Sequence, residues 1–181
     1  MHMSEKLTHN KPVSGAIFVA MSVLLMFIQF PIIPIFPFLK MDFSDVIVLI
    51  AFFTLGMPMG ILVTTCKVFL HWILMGMQVT GLIGDVASWV STLAFIIPIY
   101  LLYCHKKKWL ICFVTGIISL AVIMSLANYF AVMPLYMKVV NLQIGMPLGK
   151  YVAMGVLPFN LIKGILNSVV FYLIFRRLKL K

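Results

Sequence analysis

From Trp109 to Val132 the chain reads WLICFVTGIISLAVIMSLANYFAV, 24 consecutive residues without one charged side chain. A helix of roughly 20 apolar residues crosses the hydrocarbon core of a bilayer. Such a run has no polar face to turn toward water, and in lipid a helix satisfies its own backbone groups. This run therefore reads as a membrane span, and five further apolar segments accompany it. They cover about Val13–Phe30, 44–56, Pro58–Leu74, Leu82–Tyr103 and Tyr151–Phe175.

The chain as a whole is 64% hydrophobic and 10% charged, with mean hydropathy +1.16. Soluble domains carry about a quarter charged residues, so a soluble fold is excluded. The expected class is an all-α integral membrane protein, a compact bundle of six transmembrane helices. Residues 13–177 form the membrane domain, 1–12 an N-terminal tail and 178–181 a basic C-terminal tail. The first run lacks a small-x-small cleavage site before a polar domain, so it reads as a span and not as a signal peptide.

The formal net charge is +10. In a soluble protein that balance would suggest nucleic acid. Here the positive residues gather at segment ends: Lys6 and Lys11, then His105–Lys108, then Arg176–Lys181. Cytoplasmic loops collect Lys and Arg. Six spans with both termini cytoplasmic put all three clusters on one side, so the count and the charges agree.

Punctuation between the segments is clear. Pro31, Pro34 and Pro37 end the first, since proline cannot continue a helix. Ser44 or Asp45 suits the N-terminus of the second, which at about 12 residues is short for a full crossing. Pro134, Gly145, Pro147 and Gly149 mark a longer connection over 133–150.

The chain contains four Asp and Glu in total. Two of them, Asp42 and Asp45, stand with Lys40 in FPFLKMDFSDV, between two apolar segments. Polar residues within spans are costly and face a cavity or a partner. Asn128, Asp85, Lys67 with His71 one turn on, and Lys163 with Asn160 and Asn167 are of this kind. Lys163 lies about a dozen residues from either end of its segment, too deep to reach water along its stem. It and Lys67 are candidates to pair with Asp42, Asp45 or Asp85, or Lys163 meets a ligand. His71 and His105 have no acidic partner at a useful spacing. Phe38, Trp89 and Tyr129 offer faces on which a planar ligand can stack.

Other chemistry finds no support. Cys66, Cys104 and Cys112 are scattered, with no metal-ligand spacing, so no metal is expected. GMPLGKY (Gly145–Tyr151) is one residue short of a phosphate-binding loop and ends in Tyr in place of Ser or Thr. No catalytic constellation is present, so no enzyme and no cofactor is expected, and any ATP use falls to another chain. Ala16 and Ala20 lie four apart on the first segment. Small residues at that spacing let two helices approach closely in lipid, either within the bundle or on a partner.

FPFLKMDFSDV, LANYFAVMPLY and PFNLIKG, in this order and spacing, resemble the signature stretches of riboflavin-specific S components, the substrate-binding subunits of energy-coupling factor (ECF) vitamin transporters. The resemblance covers nearly the whole chain. It implies six membrane helices and a vitamin pocket open to the outside, between the loop after the first helix and the outer parts of helices four, five and six. It implies that Asn128 and Lys163 contact the flavin rings. The lidding loop would bring in Phe38, Lys40, Asp42 and Asp45. Ala16 and Ala20 would dock a membrane coupling subunit, which works with two ATPase subunits. The chain departs from the family pattern at Ile47, where a proline is usual, and in GDVASWV, where Asp85, Ser88 and Trp89 stand in a pocket-side stretch. Those departures keep pyridoxine and hydroxymethylpyrimidine as alternative vitamins. From the residues alone, a gradient-driven transporter using Asp85 or Asp45 is a further alternative.

Overall fold

The computed structural model of the protein describes residues 10–36 and 39–178. Helix α1 (Lys11–Phe27) leads into a short antiparallel hairpin, β1 (Phe30–Pro31) against β2 (Lys40–Met41), with Phe30 opposite Met41. Then come α2 (Ser44–Leu55), α3 (Met57–Leu74), α4 (Val79–Cys104) and α5 (Trp109–Ala127). A π turn (Asn128–Val132) joins α5 to α6 (Met133–Val139). After a connection come α7 (Leu148–Tyr151), a second π turn (Val152–Val156) and α8 (Leu157–Leu178). Among the described residues these make six rods.

Four rods are long and apolar enough to cross a membrane: Met57–Leu74, Val79–Cys104, Trp109–Val139 and Leu148–Arg177. The other two, α1 and α2, are apolar but have 17 and 12 residues. At 1.5 Å per residue α2 is only about 18 Å long. Its burial explains its length, because ten of its 12 residues are buried. An all-round apolar helix belongs in the interior of a bundle, and α2 is wrapped by α1, α3, α4 and α8. It has little contact with lipid and so need not match the bilayer.

The breaks between rods follow local chemistry. Gly56 holds φ +90° between α2 and α3, a conformation that costs a glycine little. Pro58 then sits in the first turn of α3, where its missing N–H has no helical acceptor to lose. Gly60 lets the Phe52 ring occupy the space a Cβ would fill, which locks α2 against α3. The first segment ends at Phe27, three residues earlier than its apolar run suggests, because Phe30 and Pro31 pair with β2.

The largest departure from expectation concerns the prolines. The fifth segment does not stop near Val132, and 133–150 is mostly helix. Met133 N–H donates to Asn128 O, five residues back, immediately before Pro134. Leu157 N–H donates to Val152 O in the same way, immediately before Pro158. A proline in a regular helix loses a bond and strikes a carbonyl one turn back. The wider π turn relieves that clash, so both rods pass through their prolines.

An aromatic cluster closes one end of the bundle. Phe53 of α2 lies 4.9 Å from Tyr103, 5.5 Å from Trp109 and 5.7 Å from Phe175, ring centre to ring centre. Lys106–Lys108 and Arg176–Arg177 flank this cluster in sequence, so the two basic groups share one end. The hairpin, both π turns and the 140–147 connection lie at the other. Lys6 and residues 179–181, part of the expected tails, lie outside the described residues.

Candidate functional site

The charged residues that looked isolated in sequence converge on Asp45. This carboxylate, 1% exposed, points from the first turn of α2 into the bundle. Its Oδ1 accepts from Lys67 Nζ of α3 at 3.1 Å and from Thr92 Oγ1 of α4 at 2.6 Å. Its Oδ2 lies 3.0 Å from Lys163 Nζ of α8 and accepts from Asn167 Nδ2 at 3.5 Å. One carboxylate thus ties four helices together. Both lysines pair with the same Asp, and capping of α2 by Asp45, open from the sequence, is not what its side chain does. Asp42 serves the helix end instead, its Oδ1 accepting the Ser44 N–H at 2.7 Å.

Lys67 is fully buried, and its remaining contacts are Ser44 Oγ at 3.0 Å and Thr92 Oγ1 at 3.3 Å. Lys163 is buried as well and donates to Ser91 Oγ at 3.2 Å. A buried ion is tolerated only when paired and hydrogen-bonded. This network meets that requirement with side chains from four helices. Of its other members, the sequence marks Asn167 as a polar residue beside Lys163 and Ser44 as a helix start, and it does not mark Ser91 or Thr92. The available signal was weak: Ser44 adjoins Asp45, and Asn167 lies one helical turn from Lys163.

Asn128 opens the first π turn and is buried, with Nδ2 donating to Met124 O at 2.8 Å. Asn160, one turn before Lys163, donates to Val156 O at 2.8 Å. The two π turns touch each other, which sets Asn128 and the start of α8 at one level, at the hairpin end of the bundle.

The hairpin is seated over the same level. Phe36 is buried with Met133, Tyr151, Val152 and Val156, and Leu39 packs on that cluster. Its ring meets Tyr151 edge-on at 5.1 Å between centres. A Cβ at Gly155 would lie 2.9 Å from the Phe36 ring, so a glycine there forms the seat. Phe38, the aromatic expected in the lid, lies outside the described residues. Lys40 is exposed on β2.

Asp85 sits in the second turn of α4 and has a partner that sequence spacing did not suggest. His71 Nδ1 of α3 is 2.8 Å from Asp85 Oδ1, which corrects the reading that His71 lacks an acid. Trp89, one turn on, donates from Nε1 to Thr65 Oγ1 at 3.1 Å. It also borders an apolar groove of about 320 Å³ between α4 and α5. Tyr129 is 44% exposed beside Phe130, on the outside of its rod. Ala16 and Ala20 are both exposed, whereas Ser14, Gly15, Val19, Ser22 and Val23 of α1 face inward. Among the described residues no three His, Cys, Asp or Glu side chains gather to hold a metal.

The family described as ECF transporter, substrate-specific component, matches residues 13–175. This chain belongs to that family. As an ECF substrate-specific component it is a multi-pass protein of the bacterial cell membrane, it associates with the other components of an ECF transporter, and its role is transport. The chain is 37% identical to the riboflavin transporter RibU of Staphylococcus aureus, covering 88% of this chain and 85% of that one. It is 34% identical to the riboflavin transporter FmnP of Bacillus subtilis, covering 88% and 87%. The solved structure of the S component of a bacterial ECF transporter superposes with TM-score 0.81 at 30% identity, over 94% of this chain and 96% of that one. The helical fold of this chain therefore agrees with that of a solved S component.

Proposed function

We propose that this S component captures riboflavin from outside the cell and passes it to an ATP-driven complex of one membrane coupling subunit and two ATPases. The observation that carries the reading is the similarity to transporters named for riboflavin, at 34–37% identity over more than four-fifths of each chain. The geometry supports it. Lys163 and Asn128 are buried polar groups at or just below the hairpin end, beneath an apolar seat for the hairpin. A planar ring system held between apolar walls with a few polar contacts is the usual form of a small-molecule site. Riboflavin is scarce, so useful affinity is nanomolar, about −12 kcal/mol.

In this reading both termini are cytoplasmic, which sets the Lys106–Lys108 and Arg176–Arg177 end inside. Residues 13–177 are the binding domain between short tails. Lys163 and Asn128 orient the flavin. Phe38, Lys40 and Asp42 belong to the lid, Asp45 holds Lys163 from below, and Asp85 and Trp89 shape the α4 side. Ala16 and Ala20 dock the coupling subunit. No cofactor is required beyond the transported vitamin.

The test is an absorbance spectrum of the purified protein from the near ultraviolet to the blue. A flavin band near one per chain is expected, and Lys163→Ala or Asn128→Ala should lose it. A colourless protein whose tryptophan fluorescence ignores added riboflavin would overturn the assignment, and pyridoxine and hydroxymethylpyrimidine would be titrated next.

A further inference from the structure

We propose that Lys67 is the standing counter-ion of Asp45, and that by neutralising this carboxylate it leaves Lys163 available to the transported ligand. The inference rests on the reading that Lys163 touches the ligand. It assigns a positioning role to a residue that does not.

The donor count separates the two lysines. An ammonium has three N–H donors and no acceptor. Lys67 spends all three, on Ser44 Oγ, Asp45 Oδ1 and Thr92 Oγ1, at 3.0–3.3 Å. It has no exposed surface. Lys163 spends two, on Asp45 Oδ2 and Ser91 Oγ. Among the described residues nothing takes its third donor. It is also the lysine on the rod that carries the second π turn, toward the hairpin.

The charge count gives the reason for two lysines. If Lys163 alone faced Asp45, each charge would be the other's only compensation. Pulling the ammonium toward a ligand would then leave a buried carboxylate exposed to a low-dielectric interior, a costly state. With Lys67 on Oδ1, supported by the Thr92 hydroxyl at 2.6 Å, that carboxylate is already neutralised. Lys163 can tilt its ammonium without stranding an anion. The second carboxylate nearby, Asp42, is occupied by the Ser44 N–H, so it competes less for Lys163. Asp45 lies in the first turn of α2, four residues after the hairpin ends at Met41, so the same hub ties the lid's base to the lysine beneath it.

The experiment is a riboflavin titration, read by flavin fluorescence, on purified wild-type protein and the variants K67M, K67M/D45N and K163M. K67M should weaken binding about tenfold, or 1.4 kcal/mol, because Asp45 then claims Lys163 for itself. K67M/D45N should bind riboflavin more tightly than K67M, since the competitor is now neutral; such a rescue is a coupling between the two sites. A packing role predicts the opposite, with the double variant weaker than K67M. That result, or a K67M protein that binds like wild type while K163M is weakened, overturns the inference and leaves the reading of Lys163 intact. A K163M protein with wild-type affinity overturns the reading itself, and the inference with it. If K67M alone does not fold, the neutral pair K67M/D45N decides: folded protein that fails to bind riboflavin overturns the inference.

Discussion

His71 Nδ1 and Asp85 Oδ1 stand 2.8 Å apart and join α3 to α4 beside the hairpin end of the bundle. Phe27, the last residue of α1, lies against the imidazole at 5.3 Å between ring centres. Among the described residues, His71 Nε2 and Asp85 Oδ2 are buried without a protein partner. That one bond is therefore the polar contact these two buried groups make with each other across α3 and α4.

Removing one member of such a pair strands the other. His71→Ala should destabilise the protein by about 3 kcal/mol, the lower end for a broken buried pair. For a chain of this size that lowers the unfolding midpoint by roughly 6–12 °C. Asp85→Asn keeps a hydrogen-bonding side chain and loses the charge, so its shift should be smaller. A thermal scan of the purified protein checks both. Equal shifts would mean that the charge contributes nothing.

The seat of Phe36 gives a prediction about rates. Gly155 faces the Phe36 ring at a distance that leaves no room for a side chain. Gly155→Val should push the ring out of the cluster with Tyr151 and Val156 and loosen the hairpin. Ligand release is expected to speed up about tenfold, with a smaller change in the rate of association, as is usual when contacts are lost at a formed site. Stopped-flow measurement of riboflavin release decides it, and an unchanged release rate would show that the seat does not hold the ligand in.

These features differ in how visible they are from the residues. The segments are plain, because most of the charge falls between them or at their ends. Lys67 and Lys163 were plain too, since an ammonium within an apolar run needs a reason. Their common partner was only one of three candidates, because Asp45 is 118 residues from Lys163 and no local pattern links them. His71 and Asp85 failed the same test, as the spacing that joins them is that of two antiparallel helices and not of one. The two π turns were hidden by the very residues that cause them. Proline reads as a stop, and a wider turn one residue ahead of Pro134 and of Pro158 lets the helix continue. The length of α2 looked like an incomplete crossing. Its burial on all sides shows that its pattern was that of a core helix.

Asn128 is placed by its own bond. One Nδ2 hydrogen goes to Met124 O, which fixes the amide plane and leaves the side-chain oxygen to accept from a ligand N–H and the second Nδ2 hydrogen to donate. A flavin ring offers such an N–H donor at its edge. Asn128→Ala should cost 1–3 kcal/mol of riboflavin binding, the range for a buried hydrogen bond left unmade, or roughly 5- to 150-fold in Kd. Asn128→Asp, with an oxygen kept in the same place, should retain more affinity than Ala. Fluorescence titration of the two variants checks the order, and the reverse order would rule out acceptance from the ligand as its role.

In the proposed function the outward face of α1 serves coupling and not binding. Close packing inside the bundle is the ordinary use of small residues four apart, and here α1 meets that need with Gly15, which lies against Met59, and with Ser14 and Ser22. Ala16 and Ala20 point away from those contacts and are exposed. Lipid does not demand alanine, since Val13, Ile17, Met21 and Leu24 on the same rod are exposed as well. Two small residues one turn apart among larger ones make a notch into which another helix fits closely. Ala16→Trp with Ala20→Trp fills the notch without touching Asp45, Lys163 or Asn128. Riboflavin affinity of the isolated protein should therefore stay within about twofold of wild type, as surface changes away from a site cost little. Co-purification with the coupling subunit, and vitamin uptake by cells, should be lost. A double variant that still co-purifies would mean that docking uses another face. One that no longer binds riboflavin would mean that α1 supports the pocket itself.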